Sequence, residues 1–215
     1  MFDWSVITQN SDLILLGLWI TMQYTVATTL IGLSLGLFIA LLQLSPTRML
    51  VLPGRLFVEF FRNVPLLVWL LWSYYALPIF LGIDISKQAA GILALSLYAA
   101  AYYAEILRAG IQSLEGGQSD AARALGMSTA QSLRRVILPQ AFRRMIPPLA
   151  GQTIIQMKNT TLLSVITVPD LLYQAGYIAS FTYRPMEVYT VVGIIFLIIL
   201  IPSNYLARKL EMQER

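Results

Sequence analysis

Ser119-Asp120-Ala121-Ala122-Arg123-Ala124-Leu125-Gly126, followed nine residues on by Val136-Ile137-Leu138-Pro139, is a charged, helix-forming block set between long hydrophobic runs. Ser119 is a good N-cap, Asp120 suits the positive end of a helix dipole, and Gly126 suits a left-handed stop. Ser128 and Gln131 form a capping-box pair that opens a second helix. Arg134 and Arg135 occupy its later turns, and Pro139 follows or kinks it. The pattern predicts two helices joined at a glycine-centred bend, on the water side of a membrane protein, where a soluble partner can grip them. Caps alone would fit an ordinary loop as well, so the decision rests on what surrounds the block.

The chain is 57% hydrophobic and 12% charged over 215 residues, about half the charged share usual for a soluble domain. Its apolar residues fall in long uninterrupted blocks, which predicts an all-α membrane protein. One membrane domain over residues 1–215 is expected, with no soluble module. There is no cysteine and no histidine, which removes disulfides, thiol chemistry, zinc–histidine sites and Ser-His or Cys-His nucleophiles; no metal site and no catalytic residue is expected. No G-x-x-x-x-G-K-[ST] motif is present, so the chain has no phosphate cradle of its own for ATP. The net charge of +4 is explained by its placement and implies no nucleic-acid surface. No Lys or Arg precedes Arg48, so the basic start of a cleaved signal is missing and the first hydrophobic run is expected to stay in the mature protein.

About 20 apolar residues cross a bilayer. Five spans are expected, near 13–44, 64–82, 88–106, 144–167 and 188–207, with a cytoplasmic region near 115–139 between the third and fourth. The first is longer than a bilayer requires and should tilt, bend or protrude. Orientation follows from Lys and Arg. Arg48, Arg55 and Arg62, then Arg108, Arg123, Arg134, Arg135, Arg143 and Arg144, then Arg208, Lys209 and Arg215 collect on one side. Only Lys87 and Arg184 fall on the other, and Lys158 lies inside a span. The N-terminus is therefore expected outside and the C-terminus in the cytoplasm. Between the first two spans, Arg55, Glu59 and Arg62 share one helical face while Leu56, Phe57, Phe60, Phe61 and Val64 fill the other, which fits a helix lying along the cytoplasmic interface. Gly32 and Gly36 make a GxxxG that can bring another helix close.

The charged block also resembles the EAA motif of ABC importer permeases. That pattern is E-A-A, three residues, G, nine residues, then I-x-L-P. Here it reads Asp120-Ala121-Ala122, Gly126 and Val136-x-Leu138-Pro139, with Asp for Glu and Val for Ile. Three further stretches are similar to polar amino acid permeases of the histidine, glutamine and glutamate/aspartate type: Glu59 to Val68, Ala101 to Leu114, and Lys158 to Ile166. The resemblance implies a type I ABC importer-like permease fold in a bacterial inner membrane. It implies that Asp120, Ala121, Ala122, Arg123, Ala124, Leu125 and Gly126, with Leu138 and Pro139, dock on a separate ATPase subunit that holds ATP and magnesium. It also implies a second permease subunit, identical or related, an extracytoplasmic solute-binding protein and a polar amino acid as cargo.

Candidate pathway residues come from the fourth span. Lys158 lies about 18 Å into it at 1.5 Å per residue, and a lysine at a span centre costs about 2.5–3.5 kcal/mol on insertion scales. A substrate carboxylate is one way to offset that, and a helix-end carbonyl or partner dipole is another. Gln152, Gln156 and Asn159 recur at i, i+4, i+7 with Thr160 beside them, whereas Lys158 and Thr161 point elsewhere. The glutamine face is the preferred pathway lining, because neutral amides bind zwitterions without trapping them. Glu105 is a candidate for a substrate ammonium, although Arg108 at i+3 offers it a plain ion pair. The outer segment from Val168 to Glu187, with Tyr173, Tyr177, Tyr183 and Arg184, is either a docking surface for a binding protein or an aromatic belt. Two other classes stand beside the importer. An ion-driven secondary amino acid transporter would want acidic groups inside the spans, where none is found; a non-transporting structural subunit is opposed only by the EAA resemblance.

Overall fold

Long charge-free runs become long helices, and Pro and Gly decide where they break. The computed structural model describes residues 3–114 and 117–212, and every regular element among them is helical. In chain order these are α1 (Ser5–Gln9), α2 (Ser11–Gln43), α3 (Arg48–Asn63), α4 (Leu66–Leu81), α5 (Lys87–Gln112), α6 (Gly117–Ala124), α7 (Thr129–Ile166), α8 (Leu171–Thr182) and α9 (Pro185–Met212). α2, α5 and α9 are each long and apolar enough to cross a membrane. The pairs α3–α4, bent by 103°, and α7–α8, bent by 46°, bring the count to five if each pair is one broken span.

The packing is organised by a seam between α2 and α5. A Cβ on Gly32 would fall 2.7 Å from Ala99 Cβ, and one on Gly36 would fall 2.8 Å from Tyr103 Cβ and 2.9 Å from the Ala100 carbonyl oxygen. The GxxxG is thus spent within the chain, where only hydrogen atoms fit between two backbones. Ala99, Ala100 and Ala104 on the facing helix are fully buried. Because 32 meets 99 and 36 meets 103, the two helices run parallel. α7 returns antiparallel to α5: Leu163 lies against Gly91, Tyr103 shares a 3.0 Å hydrogen bond with Thr153, and Met145 lies against Gly110. Arg48, Arg55, Arg62, Arg108 and Arg144 therefore gather toward one end, and Lys87 and Arg184 toward the other.

Local chemistry explains the breaks. Val64 precedes Pro65 and is held extended (φ −90°, ψ 127°), so the chain turns sharply from α3 into α4. The corner is filled by edge-on aromatic contacts, Phe61–Trp69 at 4.8 Å and Phe60–Trp69 at 5.9 Å. A π-turn over Trp72–Ala76 precedes Leu77-Pro78, and a second over Leu133–Ile137 precedes Leu138-Pro139. Proline lacks an N–H and its ring crowds the carbonyl four residues back; a wider turn relieves that crowding. In α7 the last seven residues tighten into a 3₁₀ turn over Thr160–Ile166. There the hydroxyls of Thr160, Thr161 and Ser164 each donate to a carbonyl three residues back, at 2.7 Å. Lys87 Nζ closes that end by donating to the Thr167 carbonyl at 2.7 Å.

Several boundaries differ from the sequence expectation. α5 continues past residue 106 to Gln112, and α7 starts at Thr129 and carries the second elbow helix straight into the next span. Residues 115 and 116 of the expected 115–139 region, and Arg215, lie outside the described residues. The stretch from Val168 onward is no simple outer surface. Asp170 caps α8 by accepting from the Tyr173 N–H at 2.9 Å, and Leu171, Ala175 and Ile178 are buried against α2 and α9. A Cβ on Gly17 would meet the Asp170 carbonyl at 2.9 Å, so α2 approaches α8 as closely as it does α5.

The seam makes a test. Gly36→Leu is expected to lower the melting temperature of the detergent-purified protein, by an equivalent of about 1–3 kcal/mol for overpacking. Gly193→Leu, where a Cβ meets nothing within 4 Å, should leave it unchanged.

Candidate functional site

The elbow is built from hydrogen bonds the sequence encodes. α6 ends in a Schellman motif: Gly126 N–H donates to Arg123 O at 2.9 Å and Met127 N–H to Ala122 O at 3.0 Å. Gly126 has φ +76°, a left-handed value that a residue with a Cβ adopts only with strain. Ser128 then caps α7. Its Oγ accepts from Gln131 N at 3.3 Å, and Gln131 Oε1 accepts from Ser128 N at 3.0 Å. The predicted capping box is thus present. Ser119 is not the N-cap of α6, which begins two residues earlier at Gly117; Ser119 sits in the first turn, and its side chain lies outside the described residues.

The elbow hardly packs on the rest of the chain. Ala122, Ser132 and Ile137 are its buried anchors, while Asp120, Ala121, Arg123, Ala124 and Pro139 are exposed and Leu125 is 81% exposed. Asp120 and Arg123 pair with each other at 2.6 Å in the open, a contact that contributes little to stability. Leu138 is 41% exposed beside Phe142 at 61%. The result is a small capped knob, charged at Asp120 and Arg123 and apolar at Leu125, that its own chain leaves uncovered.

The second candidate lies deep in α7, where the two polar faces are real and turned to opposite sides. The glutamine face, expected to line a pathway, is turned into the protomer. Gln156 is fully buried, and its Nε2 donates to Thr28 Oγ1 at 3.0 Å and to Leu95 O at 3.1 Å, pinning α7 to α2 and α5 together. Gln152 and Thr160 are buried, and Asn159 is half-buried with its Nδ2 enclosed and unpartnered. Lys158 emerges on the opposite face with Gly151 and Ile155, which is 47% exposed. Glu105 stands apart from both. Arg108 holds its carboxylate through Nη2 at 2.5 Å and Nε at 3.2 Å, and Arg62 reaches it at 3.9 Å. The six candidate pathway residues therefore form no single site. Sequence reasoning missed Thr28 and the Leu95 carbonyl, the partners of Gln156. Their signal was the spacing of Thr21, Tyr24 and Thr28 in line with Gly17, Gly32 and Gly36 along one face of α2.

An all-helical, multi-pass bundle with an uncovered elbow between its third and fourth apolar segments defines the permease class of ABC importers. Comparison with known proteins names the family. Residues 32–213 match the binding-protein-dependent transport system inner membrane component family, and the chain belongs to it. A glutamate/aspartate import permease protein, GltK, of Escherichia coli O157:H7 is 36% identical, over 98% of this chain and 97% of that one. A probable glutamine ABC transporter permease protein, GlnM, of Bacillus subtilis (strain 168) is 36% identical, over 96% and 97%. A crystal structure of an amino acid ABC transporter with histidines contains a chain that superposes with a TM-score of 0.93 at 36% identity, covering 99% of each. The inward-facing MetNI methionine ABC transporter, at 22% identity and a TM-score of 0.70 over 93% of this chain and 97% of that one, shares the fold. The chain is thus a multi-pass permease subunit of a bacterial inner membrane importer, and ATP hydrolysis belongs to a separate subunit.

The burial of Gln156 predicts an asymmetry. Gln156→Leu removes the donors without emptying the space and leaves Thr28 donating to the Tyr24 carbonyl, so the melting temperature should barely move. Gln156→Ala opens a cavity and should destabilise by about 2 kcal/mol or more.

Proposed function

We propose that this chain is the transmembrane permease subunit of an ATP-driven importer of polar amino acids, of the glutamate/aspartate or glutamine kind. Its N-terminus lies outside, five spans cross the bilayer with α3–α4 and α7–α8 as broken ones, and the arginine-rich end faces the cytoplasm in keeping with the excess of Lys and Arg there. α6 is the coupling helix. The observation that carries this is the uncovered elbow: a capped helix with an 81% exposed leucine, fixed to α7 through Gly126 and the Ser128–Gln131 box, has the form of a ball made for another protein's socket. A separate ATPase, holding ATP and magnesium, seats Asp120 to Gly126, with Leu138 and Pro139 at the root of the lever. Closure of that ATPase displaces α6 and, through α7, shifts the bundle between outward and inward access. Coupling requires that nucleotide and loaded binding protein each stabilise the two states unequally.

The cargo passes on the open face of α7. An ammonium at membrane depth needs a polar neighbour, and within the described residues Lys158 has none in its own chain. A second permease subunit, identical or related, facing Gly151, Ile155 and Lys158 encloses a path in which Lys158 meets the cargo carboxylate. Gln152, Gln156, Asn159 and Thr160 back that wall from inside. An extracytoplasmic binding protein delivers the amino acid at the end that carries α8, Tyr177 and Tyr183.

Two measurements test this. In the complete transporter, Asp120→Lys and Gly126→Pro are expected to abolish uptake while the chain remains in the membrane at normal amounts. The exposed Asp120–Arg123 pair is too weak to explain such a loss through stability, so retained uptake would remove the docking role. Proteoliposomes holding this chain alone should accumulate no amino acid, with or without a proton or sodium gradient; gradient-driven uptake would move the chain to the secondary transporters.

A further inference from the structure

A polar hollow of about 580 Å³ lies at the arginine-rich end, between α3 and α5, and the transport reading leaves it without a task. α3 presents Arg55, Glu59 and Arg62 to it at i, i+4 and i+7, so charge alternates plus, minus, plus along one face. Neither Arg55 nor Glu59 has an ion-pair partner among the described residues. The α5 wall differs. There Glu105 is already satisfied by Arg108 through two contacts, at 2.5 and 3.2 Å. Arg62 reaches across only loosely, 3.9 Å from Glu105 and 5.4 Å above the Tyr102 ring. One wall is neutralised and the other is not.

That pattern selects a ligand. A simple anion would meet Arg55 and Arg62 but also Glu59; a simple cation would meet Glu59 but also two guanidiniums. Like charges brought into contact repel and disfavour binding. A molecule carrying an anion and a primary ammonium a few ångströms apart avoids both penalties. Asn63 lies at the rim with its Nδ2 donating to the Glu59 carbonyl at 2.7 Å, and it adds no charge to the hollow. We propose that this hollow binds a free zwitterionic amino acid, with its carboxylate on Arg55 and Arg62 and its ammonium on Glu59, separate from the α7 face that carries Lys158. The choice of an amino acid over a phosphatidylethanolamine headgroup, the other zwitterion available at a bilayer surface, rests on the transport reading above.

The chain has no cysteine, so Asn63→Cys gives it a single thiol at the rim, and Tyr183→Cys gives one at the other end, where Tyr183 is 87% exposed. The complete transporter in nanodiscs is labelled with a maleimide, and labelling is read on this chain's own gel band. L-Glutamine or L-glutamate should slow labelling at position 63 and leave position 183 unaffected. Arg55→Gln with Arg62→Gln should raise the half-protecting concentration about tenfold or more, as expected for lost charge-assisted bonds. Glu59→Gln serves as a second, independent variant, and an unchanged size-exclusion profile of the assembled transporter reports that each is folded. Absence of protection up to about 100 mM, a range that covers even weak sites, in a transporter with normal uptake overturns the site and spares the transport reading. So does equal protection by glutaric acid or butylamine, which lack one charge sign. Labelling that is slow in phosphatidylethanolamine but fast in phosphatidylcholine nanodiscs, whatever the amino acid, gives the hollow to lipid and also overturns the proposal. Failure of uptake by the unsubstituted transporter, with protection intact, strikes the transport reading alone.

Discussion

The close approach of α2 to α5 is the contact on which the remaining architecture depends. In lipid, apolar side chains gain little by leaving the bilayer for one another, so helices associate where their surfaces fit and where backbones come near. Gly32 and Gly36 against Ala99, Ala100 and Tyr103 supply that fit. Everything next to the seam inherits its register. Gln156 reaches both helices because they lie side by side at Thr28 and Leu95. Gly91 lets Leu163 settle over the same line, and Met145 fills the space beside Gly110. α7 is thereby fixed in rotation, and the direction in which Lys158 points follows from that rotation rather than from any contact of its own.

Much of this was legible in the chain and some was not, for identifiable reasons. The ends of the apolar runs, the alternation of arginine-rich and arginine-poor segments, and the elbow with its Gly126 and Ser128–Gln131 signals are local properties, and the helices formed accordingly. The interior was harder to read. In a soluble helix the buried face announces itself by hydrophobicity. In α2 the exposed side is the more apolar one, with Leu15, Trp19, Leu30 and Phe38 uncovered, while Gly17, Thr21, Thr28, Gly32 and Gly36 face inward. Helical phase correctly separated Lys158 from the glutamines but carried no sign saying which side was inner. That sign comes from tertiary partners far away in sequence. The fusion of the elbow helix with the fourth span was hidden for a different reason: Pro139 suggested a stop, and a π-turn absorbs it instead.

Polar groups divide the protomer into two kinds of chemistry. In the middle they are few and enclosed: Gln156 donates to Thr28 and the Leu95 carbonyl and Tyr103 pairs with Thr153, while Gln152 Nε2 and Asn159 Nδ2 have no partner among the described residues. At the arginine-rich end they are many, half-exposed and only partly matched, as with Arg55, Glu59 and Arg62 around the hollow. The first kind stabilises one arrangement of helices. The second is soft, since water can replace any single partner at modest cost, and it is the region nearest the elbow.

α7 reaches without a break from Ser128's cap to the carbonyl gripped by Lys87, a rod of roughly 55 Å by helical rise. Along it lie one π-turn and the tandem Pro147-Pro148, where intrahelical bonds are missing and bending is easy. A push at the elbow end would therefore arrive at the far rim attenuated by two compliant joints placed in the first half of its length. The second half, with Lys158 near its middle, would swing as one piece, so the place of that ammonium on its own helix stays fixed while whatever faces it changes.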